Sequence, residues 1–272
     1  MRRRPRIPVQ RYPHGLEREY ARALVKYVRD LRAHAIPKLI AAINASTVRT
    51  DQKEPVAAPH AKLGSTQELV RTLNGVLLSW DAITTEARPG LLAQEVGKRV
   101  IAFASKSVKR QMAALVTIPT TDHTPPQDLA GFVDGNTALI KSLPVQLHAQ
   151  LGDVVTEAFN NGTRSGDIAD LLEERFGVAE SRAALIARDQ VGKLNGKVTQ
   201  SRQQSLGVTT FIWRTSLDER VRPTHAALEG EPFPWATGVP ELDGDHNVIP
   251  GQPVQCRCRA EPVLDHLLGG DQ

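Results

Sequence analysis

Pro253–Cys258, PVQCRC, holds both cysteines of a 272-residue chain, one residue apart. Three chemistries are open to such a pair. A disulfide is disfavoured: in an extended strand residues i and i+2 sit roughly 6.5–7 Å apart, whereas bridged β-carbons converge to about 3.5–4.5 Å. With no further cysteine there is no disulfide framework, which fits a reducing compartment or one where disulfides are not needed. Two readings remain: thiolate ligands of a metal, or buried apolar side chains on one strand face. Cys256, Cys258, His225 and Asp218 make a tetrahedral donor set suited to zinc, with His246 in the intervening loop as a substitute ligand. A metal there would staple a small, loop-rich sheet. Without a metal, the same residues read as a hydrogen-bonded Asp218–His225 pair beside two packed thiols. A thiol nucleophile would need a base and a cation at hand. If 254–263 is a regular strand, Arg257 and Arg259 point away from the thiols. No second motif completes a catalytic site, so no enzyme is expected and no catalytic residue is assigned.

Charged and aromatic side chains supply the candidate contacts. Arg214, Arg220, Arg222, Arg257 and Arg259 form either a phosphate- or partner-binding patch or a solvated face neutralised by Glu219, Glu229 and Glu231. Trp213 ends an apolar run and reads as core; Trp235, in a polar loop, reads as an interface anchor. Net charge is +4, but residues 1–50 hold twelve Lys and Arg against three Asp and Glu, and the remainder has an acidic excess. Arg2, Arg3, Arg4, Arg6 and Arg11 of the leader are therefore candidate contacts to DNA or an acidic partner. Residues 1–13 are expected to be either disordered or docked on that partner.

The elements that must place these residues are mostly helical. Apolar residues recur at helical spacing over 16–45, with Pro37 expected to kink or interrupt the helix. Ser65 and Glu68 form a capping box for a helix to about Thr85, and Pro89 opens another to about Val116. TIPTTDHTPPQD, 117–128, is a linker, because Pro125-Pro126 favours an extended spacer. It separates an N-terminal helical region with a basic leader, 1–116, from a second domain, 129–272. Helices follow at 129–161 with a break at Pro144, at 165–175 with a Gly stop, and at 179–205. After Gly207, VTTFIWR (208–214) alternates as a strand, a short helix covers Pro223–Leu228, and VQCRCRAEPVL is a second strand. The fold class is mainly α with a small C-terminal antiparallel sheet (α+β). The first helices carry no secretory signal ahead of them, and no run is long and apolar enough to span a bilayer. A protein made in a cytoplasm is expected.

FIWRTSLDERVRPTHAALEG followed by PGQPVQCRC resembles the C-terminal signature of the phage Mu protein F-like minor head proteins, or head morphogenesis proteins. The residues that carry it are Trp213, Asp218, Arg220, Arg222, His225, Leu228, Gly230, Pro250, Gly251, Cys256, Arg257 and Cys258. FVDGNTALIKSLP and RAALIARDQVGKLNGKVTQSRQQSLGV extend the likeness upstream, to about 129–263. Ala187-Arg188-Asp189-Gln190 departs from the family's Ala-Arg-Thr followed by an acid. The resemblance implies a minor capsid protein of a tailed bacteriophage, located in the virion head near the portal vertex and recruited during procapsid assembly. It further implies the portal protein as partner, with major capsid or scaffolding protein and packaged double-stranded DNA as others, and a role in DNA packaging or delivery. Two different classes compete: a metal-dependent nucleic-acid-processing protein and a phage-delivered effector.

Overall fold

A computed structural model describes residues 7–48, 62–63, 67–83, 87–113, 126–240, 244 and 247–264. In chain order these form α1 (His14–Ser46), β1 (Thr47–Val48), β2 (Lys62–Leu63), α2 (Gln67–Ile83), α3 (Ala87–Met112), α4 (Pro126–Asn160), α5 (Ser165–Ser205), β3 (Thr210–Arg214), α6 (Pro223–Ala226), β4 (Pro232–Pro234) and β5 (Arg259–Pro262). The protein is mainly helical with a small antiparallel sheet near its C-terminus, in the order β4-β3-β5. Ser65 and residues 117–125 of the expected linker lie outside the described residues.

Several expected breaks are absent. Pro37 lies inside α1 and Pro144 inside α4. An interior proline forfeits one hydrogen bond and crowds the preceding turn, at about 3 kcal/mol. Tertiary burial outweighs that here: Leu31, Ala35, Leu39 and Ile43 are buried on both sides of Pro37, and Leu143 and Leu147 flank Pro144. Gly177 does not stop a helix either, since α5 runs unbroken from Ser165 to Ser205. Phe176, Ala179 and Ala183 are buried around it, and an interior glycine costs only about 1 kcal/mol. The stops of α4 and α5 use left-handed glycines. Gly162 has φ 61° and Gly207 φ 83°. Thr163 N–H donates to Ala158 O at 2.8 Å and Val208 N–H to Gln203 O at 3.0 Å. These are the six-to-one bonds of a Schellman motif, and the second one turns α5 into the start of the sheet.

The chain divides into two compact units, described separately. One comprises Tyr20–Leu91 and Asn136–Ile186. Among the described residues it is helical apart from the β1–β2 pair and the turn at 161–164, and its core contains Leu24, Leu39, Leu69, Ile140, Ile168 and Phe176. Two buried polar pairs link its elements: Tyr20 Oη donates to Asn136 Oδ1 at 3.0 Å, and Trp80 Nε1 to Tyr27 Oη at 3.2 Å.

The other unit comprises Met1–Glu19, Leu92–Gly135 and Ala187–Gln272. Its core joins Val108 and Met112 of α3 to Phe211 and Trp213 of β3, with Trp235, Val248, Cys256, Cys258 and Ala260. Phe211 and Trp213 point inward and Ile212 and Arg214 do not, the alternation expected of a half-buried strand. Pro232 and Pro234 sit on β4, a sheet edge, where a missing donor is tolerated.

The leader differs from expectation. Residues 7–13 pack on their own unit: Ile7 lies against the core, Gln10 Nε2 donates to Thr199 Oγ1 at 2.8 Å, Pro8 O accepts from Gln111, and Tyr12 is buried. Apolar and hydrogen-bonding side chains between the charges explain this; a charge count does not register them.

Candidate functional site

The second strand is shorter than its sequence pattern. β5 starts at Arg259, so Cys256 and Cys258 precede it in a bent segment. Cys256 N–H closes a turn on Pro253 O, Gln255 has φ 56°, and Cys258 N–H points to Cys256 Sγ at 3.4 Å instead of joining the ladder. Asp189 on α5 holds the bend: its Oδ1 accepts from Gln255 N–H at 3.0 Å, and its Oδ2 pairs with Lys193. Gly192 and Gly196, one turn apart on α5, admit the loop. A β-carbon on Gly192 would lie 2.9 Å from Cys256 O, and one on Gly196 would collide with Pro250 O. Gly251, at φ 94°, completes this close approach.

His225 arrives from the opposite side. Pro223 opens α6, whose fixed φ suits a first helical position. After α6, Glu229 Oε2 accepts from Thr215 N at 2.6 Å and Thr215 Oγ1 at 2.7 Å, and Oε1 accepts from Arg214. Burial raises the Glu229 pKa, but these hydrogen bonds and the Arg214 charge outweigh it and hold the carboxyl below its usual range. Gly230 N–H donates to Trp213 O. The helix is thus tied to the Trp213 strand at both side chain and backbone, and the His225 ring meets the Trp213 ring edge-on at 5.4 Å.

His225, Cys256 and Cys258 are 3%, 6% and 4% exposed, so any ligand set they form is dry. His225 Nδ1 lies 3.4 Å from Cys258 Sγ and 3.6 Å from Cys256 Sγ. The three donor atoms fall within 4.8 Å of one another. The sulfurs also interact: the Cys258 thiol donates to Cys256, which lowers the Cys256 pKa against burial, with His225 adding to the effect. The same bond and burial raise Cys258. The two thiols are thus inequivalent, with Cys256 the more readily ionised of the pair. The buried Trp213 indole N–H makes no full hydrogen bond, and Cys258 Sγ is the acceptor beside it.

Asp218 is not in this group. Its Oδ1 accepts from Arg257 at 2.8 Å and from Arg220 N–H at 3.1 Å. Burial opposes its ionisation, but those bonds and the two arginine charges lower its pKa. Trp235 is 3% exposed, inside the core, and donates to Gln203 Oε1. Arg11 is exposed. Arg2, Arg3, Arg4, Arg6 and His246 lie outside the described residues. The five-arginine patch divides. Arg214 is held by Glu229 and Glu261, and Arg259 donates to Gln10 O and Thr215 O. Arg220, Arg222 and Arg257 instead line a cavity with Arg188, His225 and both cysteines.

The donor set passes a test of size for zinc. Bonds of about 2.3 Å to sulfur and 2.0–2.1 Å to nitrogen, at a tetrahedral angle, separate the two ligand atoms by about 3.5 Å. The observed sulfur–nitrogen separations of 3.4 and 3.6 Å match that edge. These residues supply three ligands, so one tetrahedral position is left to another group. One feature works against a cation: Arg222 Nη1 approaches His225 Nε2 at 3.5 Å. A guanidinium only donates, which favours the ring proton on Nδ1, the atom a metal would need. Arg222's shorter contact is elsewhere, to Val254 O at 2.7 Å.

A family model described as Phage Mu protein F like protein matches residues 149–261. The match contains all the tail residues from Trp213 to Cys258 that carried the resemblance. An uncharacterized protein of Haemophilus influenzae (strain ATCC 51907 / DSM 11121 / KW20 / Rd) is 40% identical over 132 residues, 48% of this chain and 28% of that protein. The chain thus spans well under a third of the length of that relative. No solved structure matches.

Proposed function

We propose, from the match of residues 149–261 to the family model described as Phage Mu protein F like protein, that the chain is a minor head protein of a tailed bacteriophage. In this reading it enters the procapsid at the portal vertex, stays in the virion head, and assists DNA packaging or delivery. The family match is the observation that carries the reading. A non-enzymatic role agrees with a head-morphogenesis family. The partner is the portal protein, with scaffolding or major capsid protein and packaged DNA as further contacts. The test is co-sedimentation of the purified chain with preformed portal oligomers, at low and at physiological salt. Binding in both is expected; no binding in either would sink the portal assignment.

The same reading gives the small sheet a zinc staple held by His225 Nδ1, Cys256 Sγ and Cys258 Sγ. The matching ligand-edge distances support it. Zinc at this point would fix the bent segment before β5 to α6 and supply folding free energy to a unit with few strands. Nuclease activity that disappears on Cys256→Ser would favour the competing class, a metal-dependent nucleic-acid-processing protein.

A further inference from the structure

The cavity beside the cysteines has a volume of about 180 Å³, and its lining includes Arg188, Arg220, Arg222 and Arg257 together with His225. No Asp or Glu side chain lines it among the described residues. Four guanidiniums around so small a space repel one another, and an anion among them would offset that repulsion. Two of the charges are partly compensated from outside the lining: Arg257 by Asp218 at 2.8 Å and Arg188 by Glu17 at 3.2 Å. The local balance stays positive.

Three of the four guanidiniums are also fixed in place. Arg188 Nη1 donates to Gln255 Oε1 at 2.9 Å, and Arg222 Nη2 to Val254 O at 2.7 Å. Arg257 is 10% exposed and pinned on Asp218. Arg188 and Arg257 carry more N–H donors than these contacts use. Pinned forks converging on one cavity are the geometry that recognises tetrahedral oxyanions, because guanidinium donors pair two at a time with phosphate oxygens.

We propose that this cavity is a phosphate-binding site, in which Arg188, Arg220, Arg222 and Arg257 receive a phosphate group supplied by the DNA backbone or by free phosphate. The site does not depend on the head-protein reading, which portal binding tests separately. It also gives Arg222 a purpose that the metal reading does not: its charge serves the anion.

The test uses the full chain and two variants, Arg220→Gln and Arg222→Gln. Arg220 is the safer one for folding, because the bond that involves it and Asp218 runs through its backbone N–H; circular dichroism checks both. Inorganic phosphate titrated calorimetrically at constant ionic strength should bind wild type saturably, with a dissociation constant of about 1 mM, and each variant about tenfold more weakly. A short duplex titrated at several salt concentrations assigns the source. A log–log salt slope shallower by about 0.9 in a variant shows that one DNA phosphate occupies the site. An unchanged slope with the phosphate response lost shows that free phosphate is the ligand. No saturable phosphate binding together with an unchanged slope overturns the proposal, as does phosphate binding of wild-type strength in both variants.

Discussion

Cys256 and Cys258 separate the two chemistries left open by their spacing. With zinc on His225, Cys256 and Cys258, protein purified without chelator should carry about one equivalent of zinc, and Cys256→Ser, Cys258→Ser and His225→Ala should each lose it. A chelator should lower the unfolding temperature of wild type, since metal binding and folding of the site are coupled. Less than about a tenth of an equivalent of metal, with no chelator effect, would leave the cysteines as packed side chains. In that case each serine change should cost about 1–3 kcal/mol through a buried hydroxyl. Asp189 supports the cluster without touching a sulfur. Asp189→Ala leaves Gln255 N–H without its acceptor at a left-handed residue, so a loss of about 1–3 kcal/mol is expected in denaturant unfolding. Equal midpoints for the variant and wild type would show that water replaces the carboxylate at no cost. Glu229 sets a pH dependence. Its folded pKa lies below the usual glutamate value of 4.5. A depressed pKa contributes stability that is present above the unfolded value and is lost as pH falls through the folded one. Glu229→Gln should therefore lower the unfolding temperature near neutrality and flatten part of the decline on acidification. A variant whose acid limb parallels wild type would contradict this. At this scale the sequence shows which residue types are rare enough to matter, so two cysteines and a nearby histidine stand out. It does not show which partner wins: Asp218 has the chemistry of a ligand, yet Arg257, lying between the cysteines, takes it.

The long helices are legible because their apolar period is strong, and the stop at Gly207 is legible because a left-handed residue must be accommodated there. Pro37, Pro144 and Gly177 mislead for one reason: propensity is local, and the burial that overrides it is contributed by residues far away in sequence. The bent segment before β5 is hidden similarly. VQCRCRAEPV alternates well enough for a strand, and only packing against α5 shows why it bends. That packing rests on the Gly192–Gly196 pair in GKLNG, a spacing of four whose meaning depends on what approaches it. Gly196→Ala tests this with opposing terms. Alanine should improve the helix by about 1 kcal/mol. Its β-carbon, however, meets backbone Pro250 O, which cannot rotate away, and overpacking costs about 1–3 kcal/mol. The expected net result is a loss of stability of up to about 2 kcal/mol with displacement of the cysteine loop, read by thermal unfolding and zinc content together. A variant as stable as wild type and still loaded with metal would show that the loop has slack.

Over the whole molecule, charge and packing assign different roles to the first thirteen residues. The charge count makes them one basic arm, whereas the structure docks 7–13. Ile7 lies on the core, Gln10 and Pro8 carbonyls accept from Arg259 and Gln111, and the Tyr12 hydroxyl donates to Arg188 O at 3.4 Å. Two truncations should then behave differently. Removing residues 1–6 takes away four arginines and none of the contacts described for 7–13. If the chain associates with DNA or portal as proposed, that association should weaken most at low salt, where charge attraction is least screened. Removing residues 1–13 also strips acceptors from Arg259 and Gln111 and uncovers core. Each buried group left unpaired costs about 1–3 kcal/mol, so a total of several kcal/mol is expected, enough to bring a domain of ordinary stability close to unfolding. Paired thermal melts and salt-dependent binding curves on the two truncations read both effects. Equal stability of the longer truncation and wild type would show that the docked segment contributes nothing to the fold. Unchanged binding by the shorter one would show that the arginines at 2, 3, 4 and 6 are a passive tail.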